Sequence, residues 1–163
     1  MRPARSRQLI FIDIEDNNTT ESWLIDSREP LSPPRLVTAR RRGVEYYPDH
    51  HPGVEALFIS TNDGAPDFRL MRTMVSPSER QYWQEVVPPR PGISLEDFEV
   101  FKTHLVLTVR ENARPQFEII NLADWQIKKI NFTESVYALE SDLNLEFSTD
   151  RFRFRYSSLV TPE

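Results

Sequence analysis

Cysteine is absent from the 163-residue chain, which excludes a disulfide framework and any metal site built from thiolates. This absence fits a reducing compartment, and we expect a cytoplasmic protein. Long apolar runs are missing too: none approaches the roughly 18 residues that a membrane-spanning helix needs, so no membrane partner is predicted. The net charge of −5 argues against nucleic acid as a partner, because phosphates favour a basic surface.

Glycine is scarce, and its scarcity excludes one class of catalytic motif. A serine nucleophile elbow needs Gly-x-Ser-x-Gly, because small residues allow the strand-to-helix turn to close. The four glycines are Gly43, Gly53, Gly64 and Gly92, and no serine is flanked by two of them. We therefore predict no catalytic residue in this chain, and no cofactor is indicated.

The residues that are present suffice for a packed core. Leu, Ile, Val and Phe together make up about 28 % of the chain, above the range typical of disordered proteins. The length is that of one ordinary domain. Proline is plentiful, with thirteen residues, and no long helical pattern is present.

One pattern recurs along the chain. In residues 57–72, two short apolar runs are joined by Asn62-Asp63-Gly64, a typical β-hairpin signal. The same pattern occurs in residues 9–26 and 105–122, at a spacing of about 47 residues, and begins again at residues 151–156. A fixed spacing of this size indicates a repeat architecture.

Each repeat holds about four short strands, so the sequence predicts an all-β fold. We favour a partial, open β-propeller of about three to four four-stranded antiparallel blades; a small meandering sandwich is the alternative. The predicted blade units are residues 7–39, 43–88, 94–132 and 135–163. Residues 2–7 form either a flexible tail or part of a preceding strand. Since a propeller normally closes with at least four blades, we expect this chain to be a fragment of a larger protein.

Two predictions concern the start of the second unit. Residues 43–47 are predicted to form its first strand, with Glu45 on one face. Asp49-His50-His51-Pro52-Gly53 is predicted to form a turn. A metal site at this turn is not favoured, because adjacent histidines on a turn usually diverge and no third ligand is visible.

Several motifs, in order and at blade spacing, carry a resemblance to a known family. They are Thr20-Glu21-Ser22 before Leu24-Ile25-Asp26, Val44-Glu45-Tyr46 before Asp49-His50, Ser60-Thr61-Asn62 with Gly64, Trp83 through Arg90, and Arg153 through Ser158 with Thr161-Pro162. On these motifs the chain resembles the propeller domain of the oligopeptidase B (protease II) branch of the prolyl oligopeptidase family of serine peptidases.

The resemblance implies a seven-bladed propeller that sits as a lid on an α/β-hydrolase domain and filters peptides by size. In that family the catalytic Ser, Asp and His lie in the hydrolase domain, after the propeller, and oligopeptidase B cleaves after Arg and Lys. We expect the first blades and the hydrolase domain to be missing from this chain. Ser157 and Ser158 are then structural residues at a strand end, not nucleophiles.

Acidic side chains mark the predicted first strand of successive units. In a propeller this strand lines the central channel, and the channel-lining candidates are Glu45, Asp97, Glu99 and Glu140, with Glu96 and Asp142 beside them. An acidic lining would concentrate cationic peptides. The alternative is that these residues belong to ordinary solvated strand faces, and a register slip of one residue would reverse the assignment.

The resulting expectation is a non-catalytic segment that gates access of peptide substrates to an oligopeptidase B-like enzyme. The alternative is a stand-alone propeller-like interaction module that self-associates through its open blade edges. The basic run Arg40-Arg41-Arg42 is read as a solvated loop, with binding of an acidic partner as the alternative.

Overall fold

The structure, a computed structural model, describes residues 1–159. In this part of the chain, fourteen strands form four antiparallel sheets, and the only helical element is one 3-10 turn, Arg80–Tyr82. The predicted all-β class is therefore confirmed. Two compact units are present, Met1–Pro89 and Arg90–Glu163. The Thr161-Pro162 part of the family motif lies outside the described residues.

The first sheet contains four strands in chain order. They are β1 (Arg2–Pro3), β2 (Leu9–Asp16), β3 (Thr19–Asp26) and β4 (Arg35–Leu36). The predicted hairpin is present, with a two-residue turn between Asp16 and Thr19. Arg2 and Pro3 pair with Phe11 and Ile10, so the residues at this end form a strand and not a flexible tail.

The second sheet has the same order. Its strands are β5 (Tyr46–His51), β6 (Ala56–Thr61), β7 (Arg69–Met74) and β8 (Gln84–Val87). The predicted hairpin of β6 and β7 is present, but its connection is longer than a tight turn. Ala65 N donates to Asn62 O and Phe68 N donates to Ala65 O, which makes two consecutive turns.

The position of β5 corrects two predictions. The strand does not begin at residue 43, because Gly43 has a φ of +79° and lies in a turn closed by Val44 N donating to Arg41 O. The predicted turn at residues 49–53 is also wrong, since β5 continues through His51. Asp49, His50 and His51 are buried in this strand. Their polarity had indicated an exposed turn, and that inference is wrong.

An apolar core joins both sheets of the first unit. It contains the buried side chains Ala4, Leu9, Phe11, Leu24, Val37, Tyr46, Leu57, Ile59 and Met71, with Val75 and Trp83 packed against them. Tyr46 is fully buried, and its ring meets that of Trp83 edge-on at 5.6 Å. The two sheets are therefore stabilised by burying their apolar faces on each other.

Tyr46 also connects the two sheets by hydrogen bonds. Its hydroxyl accepts from Ser22 N and donates to Thr38 O, each at 2.8 Å. Its backbone N donates to Thr20 Oγ1 at 2.6 Å, and that hydroxyl donates to Tyr46 O. All these groups are buried, so the first strand of the second sheet is fixed to β3 of the first.

The second unit begins with another four-stranded sheet. It contains β9 (Ile93–Val100), β10 (His104–Glu111), β11 (Arg114–Asn121) and β12 (Ile127–Lys129). Asn112 and Ala113 join β10 to β11 with φ values of +49° and +66°, the signature of a type I′ hairpin turn.

The last described sheet has two strands, β13 (Tyr137–Ser141) and β14 (Phe154–Ser158). Both strands lie within the last predicted unit, residues 135–163. The core of this unit contains Phe101, Val106, Phe117 and Leu139, with the rings of Phe132, Tyr137, Phe152, Phe154 and Tyr156 packed against it. Aromatic side chains thus supply most of its buried area.

Replacing Tyr46 with Phe tests the hydrogen bonds that join the sheets of the first unit. The change leaves Ser22 N and Thr38 O buried without this partner, so we expect Tyr46→Phe to lower the free energy of unfolding by about 1–3 kcal/mol. The matched control is Tyr47→Phe, whose half-buried hydroxyl donates to Glu45 and should contribute less than about 1 kcal/mol. Urea unfolding followed by Trp fluorescence measures both, and equal losses would contradict the role given to Tyr46.

Candidate functional site

Glu45 lies one residue before β5 and is half-buried. Its carboxylate accepts from the Tyr47 hydroxyl at 3.1 Å and from Asn62 Nδ2 at 3.4 Å, and both donors are neutral. Its backbone is paired to Asn62, with Glu45 N donating to Asn62 Oδ1 and Asn62 N donating to Glu45 O. The residue is therefore held firmly, although it lies outside the observed strand β5, in which the sequence analysis had placed it.

The ionisation of Tyr47 is sensitive to the negative charge near Glu45. Burial, and then the hydrogen bond to Glu45, raise the pKa of Tyr47 to about 12. The charges of Glu45, Glu15 and Asp13 act in the same direction and are included in this value. All of these causes disfavour the phenolate, and three of them are negative charges on this surface of the first unit.

Three acidic residues lie on β9, and they are not equivalent. Glu96 occupies a bulge, since Thr108 pairs with Asp97 and Val109 with Leu95, and its carboxylate forms an exposed ion pair with Arg110. Asp97 is exposed, and its Oδ1 accepts from Phe98 N at 2.7 Å. Glu99 is half-buried and accepts from the Ser141 hydroxyl. Glu96 differs from its neighbours because it lies at the bulge. The sequence pattern alone could not show the position of this bulge.

Glu140 and Asp142 accompany β13. Glu140 is exposed on this strand, directly opposite Arg155 in the register. Asp142 follows the strand, and its Oδ1 lies 3.8 Å from Arg155 Nη2. These are surface positions at which screening by solvent keeps the ion pair weak.

First strands of consecutive sheets contact each other within each unit. In the first unit Arg2 Nη2 donates to Pro48 O at 2.6 Å, and Arg5 N donates to Asp49 Oδ1 at 3.0 Å. In the second unit the Ser141 hydroxyl joins Glu99, and thus β13 approaches β9. Adjacent first strands are what a central channel requires. One cation lies on them, Arg2, and its Nε pairs with Asp13 at 2.9 Å.

A polar cluster beside β5 was missed by the sequence reading. Ser6 Oγ and His50 Nδ1 lie 2.8 Å apart, and His50 is only 5 % exposed. Burial lowers the pKa of His50 to about 4. Burial raises the pKa of Asp49, although the carboxylate accepts from the backbone N–H groups of Arg5 and His50. The one feature of the sequence that points to this cluster is the unusual Asp49-His50-His51 run, which predicts a turn on polarity alone.

A buried ion pair in the second unit was also missed. Glu118 is fully buried in β11, and both oxygens of its carboxylate accept from Arg90, at 2.9 and 2.8 Å. Lys129 Nζ lies 3.9 Å from the same carboxylate. An acid between the apolar residues Phe117 and Ile119 was the available signal. Its bidentate partner fixes the segment that follows the prolines at residues 88–89.

No catalytic arrangement is apparent among residues 1–159. Ser157 and Ser158 lie in β14, opposite Ala138 and Tyr137 of the ladder. No group of three metal-ligating side chains converges in the described part of the chain. Within residues 1–159, no helix is long and apolar enough to cross a membrane.

Comparison with known proteins agrees with this architecture. The family model described as prolyl oligopeptidase, N-terminal beta-propeller domain, matches residues 1–163. The chain belongs to this family. Its fold is therefore that of a β-propeller domain, as the sequence predicted.

Individual relatives of the propeller domain are much longer than this chain. Protease 2 of Moraxella lacunata is 29% identical over 170 residues, which cover 98% of this chain and 22% of that protein. A prolyl endopeptidase-like protein of Gallus gallus is 28% identical, with the same two shares. Among solved structures, oligopeptidase B from Trypanosoma brucei in a closed form with covalently bound antipain has a TM-score of 0.88 at 23% identity, covering 96% of this chain and 23% of that one. This chain thus spans less than a quarter of the length of these relatives.

The polar cluster of the propeller domain predicts a pH dependence of stability. Unfolded His50 binds a proton near pH 6.5, whereas folded His50 stays neutral until about pH 4, so its contribution is complete above pH 6.5 and is lost as the pH falls. Between pH 7.5 and pH 5 we expect a loss of up to about 2 kcal/mol. The measurement is urea unfolding of the natural chain and of His50→Gln across this range.

Asp49 serves as an internal reference in this experiment. Its raised pKa contributes with the opposite sign, stabilising the fold as the pH falls, and it is present in both proteins. The difference between the two pH profiles therefore reports His50. Identical profiles would contradict the assignment of a buried, neutral His50.

Proposed function

We propose that this propeller segment has no catalytic role of its own and gates access of peptides to the catalytic domain of an oligopeptidase B-like serine peptidase. The complete enzyme would cleave peptides after Arg and Lys. Family membership and the similarity to Protease 2 over 98% of the chain support this proposal. The partner implied is an α/β-hydrolase domain, and the location that we propose is the cytoplasm.

The observation that carries the proposal is the acidic character of the first strands. Within each unit these strands adjoin, through Arg2 and Pro48 in the first and through Glu99 and Ser141 in the second. Glu45 has neutral donors for its carboxylate, and Asp97 and Glu140 are exposed. In the proposed channel these three residues are the main source of negative potential, and Glu99 supports them while it holds Ser141.

In this proposal the segment captures cationic peptides by electrostatic attraction and takes no part in the cleavage reaction. Acidic residues that surround a narrow passage concentrate their field in the low-dielectric cleft and raise the local concentration of cations. A peptide that carries Arg or Lys would be captured faster than a neutral peptide. Glu96 contributes little, because Arg110 compensates its charge.

A second candidate function is a stand-alone interaction module that associates with further copies of itself. It is supported by apolar side chains near the two-stranded sheet of β13 and β14. Val136, Leu143 and Leu145 are 66%, 71% and 66% exposed. Association would cover this surface together with the open edges of the sheet.

The gating proposal predicts a loss of capture when the acids are neutralised. The test uses a chimera in which this chain replaces the matching segment of Moraxella lacunata Protease 2. We expect Glu45→Gln, Asp97→Asn and Glu140→Gln together to lower kcat/KM for a peptide with several Arg residues by about tenfold at low ionic strength. At high salt the difference should largely disappear, because exposed charges are screened.

The matched control removes three acids outside the first strands, Glu55→Gln, Asp67→Asn and Glu146→Gln, all of which are exposed. The change in net charge is the same, so this variant should keep kcat/KM close to that of the parent chimera. An equal loss in both variants would show a general effect of charge and would contradict the proposed channel. An unchanged rate in the first variant would contradict it as well.

A further inference from the structure

Arg80 has an unusual environment at the start of the 3-10 turn. Its guanidinium Cζ lies 5.4 Å from the centre of the Trp83 ring, and its Nε lies 3.0 Å from Asp63 Oδ2. Its Nη2 is buried, and no residue among 1–159 accepts a hydrogen bond from it. A buried donor without an acceptor is uncommon, above all in a charged group, and indicates a place for an external oxygen atom.

A second guanidinium reaches the same carboxylate. Arg41 Nη2 lies 3.2 Å from Asp63 Oδ1, so the two oxygens of Asp63 are divided between Arg41 and Arg80. The Asp63 side chain is 13% exposed and that of Arg80 is 23% exposed, whereas that of Arg41 is 62% exposed. The group is therefore open to solvent on the Arg41 side and closed on the Arg80 side.

Positive charge exceeds negative charge at this position. Arg40 pairs with Glu21 at 3.2 Å, and Arg42 is exposed in the same loop. The four arginines Arg40, Arg41, Arg42 and Arg80 thus lie near the acids Glu21 and Asp63, and the charge of Asp16 also acts on Arg40. Planar guanidinium groups with several fixed donors are well suited to the oxygens of carboxylates and phosphates.

We propose that Arg80 and Arg41 form a binding site for a small oxyanion, a phosphate or a carboxylate group. Asp63 is the internal occupant of this site, and an external oxyanion competes with it for the two guanidinium groups. An oxyanion that enters from the open Arg41 side and displaces the Asp63 carboxylate accepts from Arg80 Nη2, while the contact with Trp83 and the bond from Arg80 N to Thr38 Oγ1 hold the side chain in place. This assignment favours the acidic-ligand reading of the Arg40-Arg41-Arg42 run, and it does not depend on the proposed peptidase function.

The test measures binding of inorganic phosphate and of N-acetyl-aspartate amide to the whole chain by calorimetric titration at low salt. We expect saturable binding of at least one of them, which identifies the source of the oxyanion. Asp63→Asn should tighten binding by at least threefold, because it removes the internal competitor. Arg80→Gln should weaken binding by about tenfold or more, as expected for loss of a charge-assisted hydrogen bond.

The matched control is Arg110→Gln, which removes an exposed guanidinium paired with Glu96 in the other unit and should leave binding unchanged. Circular dichroism of each variant verifies the fold. If Arg80→Gln fails to fold, the gain in affinity of Asp63→Asn still decides the question. Absence of saturable binding to both the natural chain and Asp63→Asn would overturn the proposal, and so would equal losses in Arg80→Gln and Arg110→Gln.

Discussion

The buried hydroxyl of Tyr46 is the contact on which the first unit depends. It accepts from Ser22 N and donates to Thr38 O, and thus joins the first strand of one sheet to β3 of the sheet before it. A four-stranded sheet alone leaves apolar side chains in water on at least one face, so each sheet needs its neighbour. Apolar burial supplies the attraction, but the hydroxyl fixes the register at which the two sheets meet, since only one placement satisfies both backbone groups.

The sequence predicted the hairpins well, because alternating apolar runs and turn residues are local signals. It failed where polar residues are buried by distant partners. The polarity of His50 and His51 predicts a turn, yet both residues belong to β5. The strand Arg2–Pro3 is too short to show an alternating pattern in the sequence. At the candidate site, the acidic residues could be predicted from the sequence, but their partners could not, because Glu96, which pairs with Arg110, lies at a bulge.

Charge is distributed unevenly over the first unit, with one acidic surface and one basic group. Near Glu45 the acids dominate, and together with burial they hold the pKa of Tyr47 at about 12. Near Asp63 the arginines dominate, and the buried Nη2 of Arg80 has no acceptor among residues 1–159. In the proposed enzyme the acidic surface would attract cationic peptides, whereas the basic group would hold a small anion.

The central claim is that this chain acts as part of a complete peptidase, and the mass of the native protein tests it most directly. The protein is detected in its source cells with an antibody raised against this chain, on a denaturing gel. The chain spans 22% of the length of Protease 2 and of the prolyl endopeptidase-like relative, so the account predicts a band several times larger than the chain alone. A band at the mass of the chain alone would contradict the gating function and would favour the stand-alone interaction module.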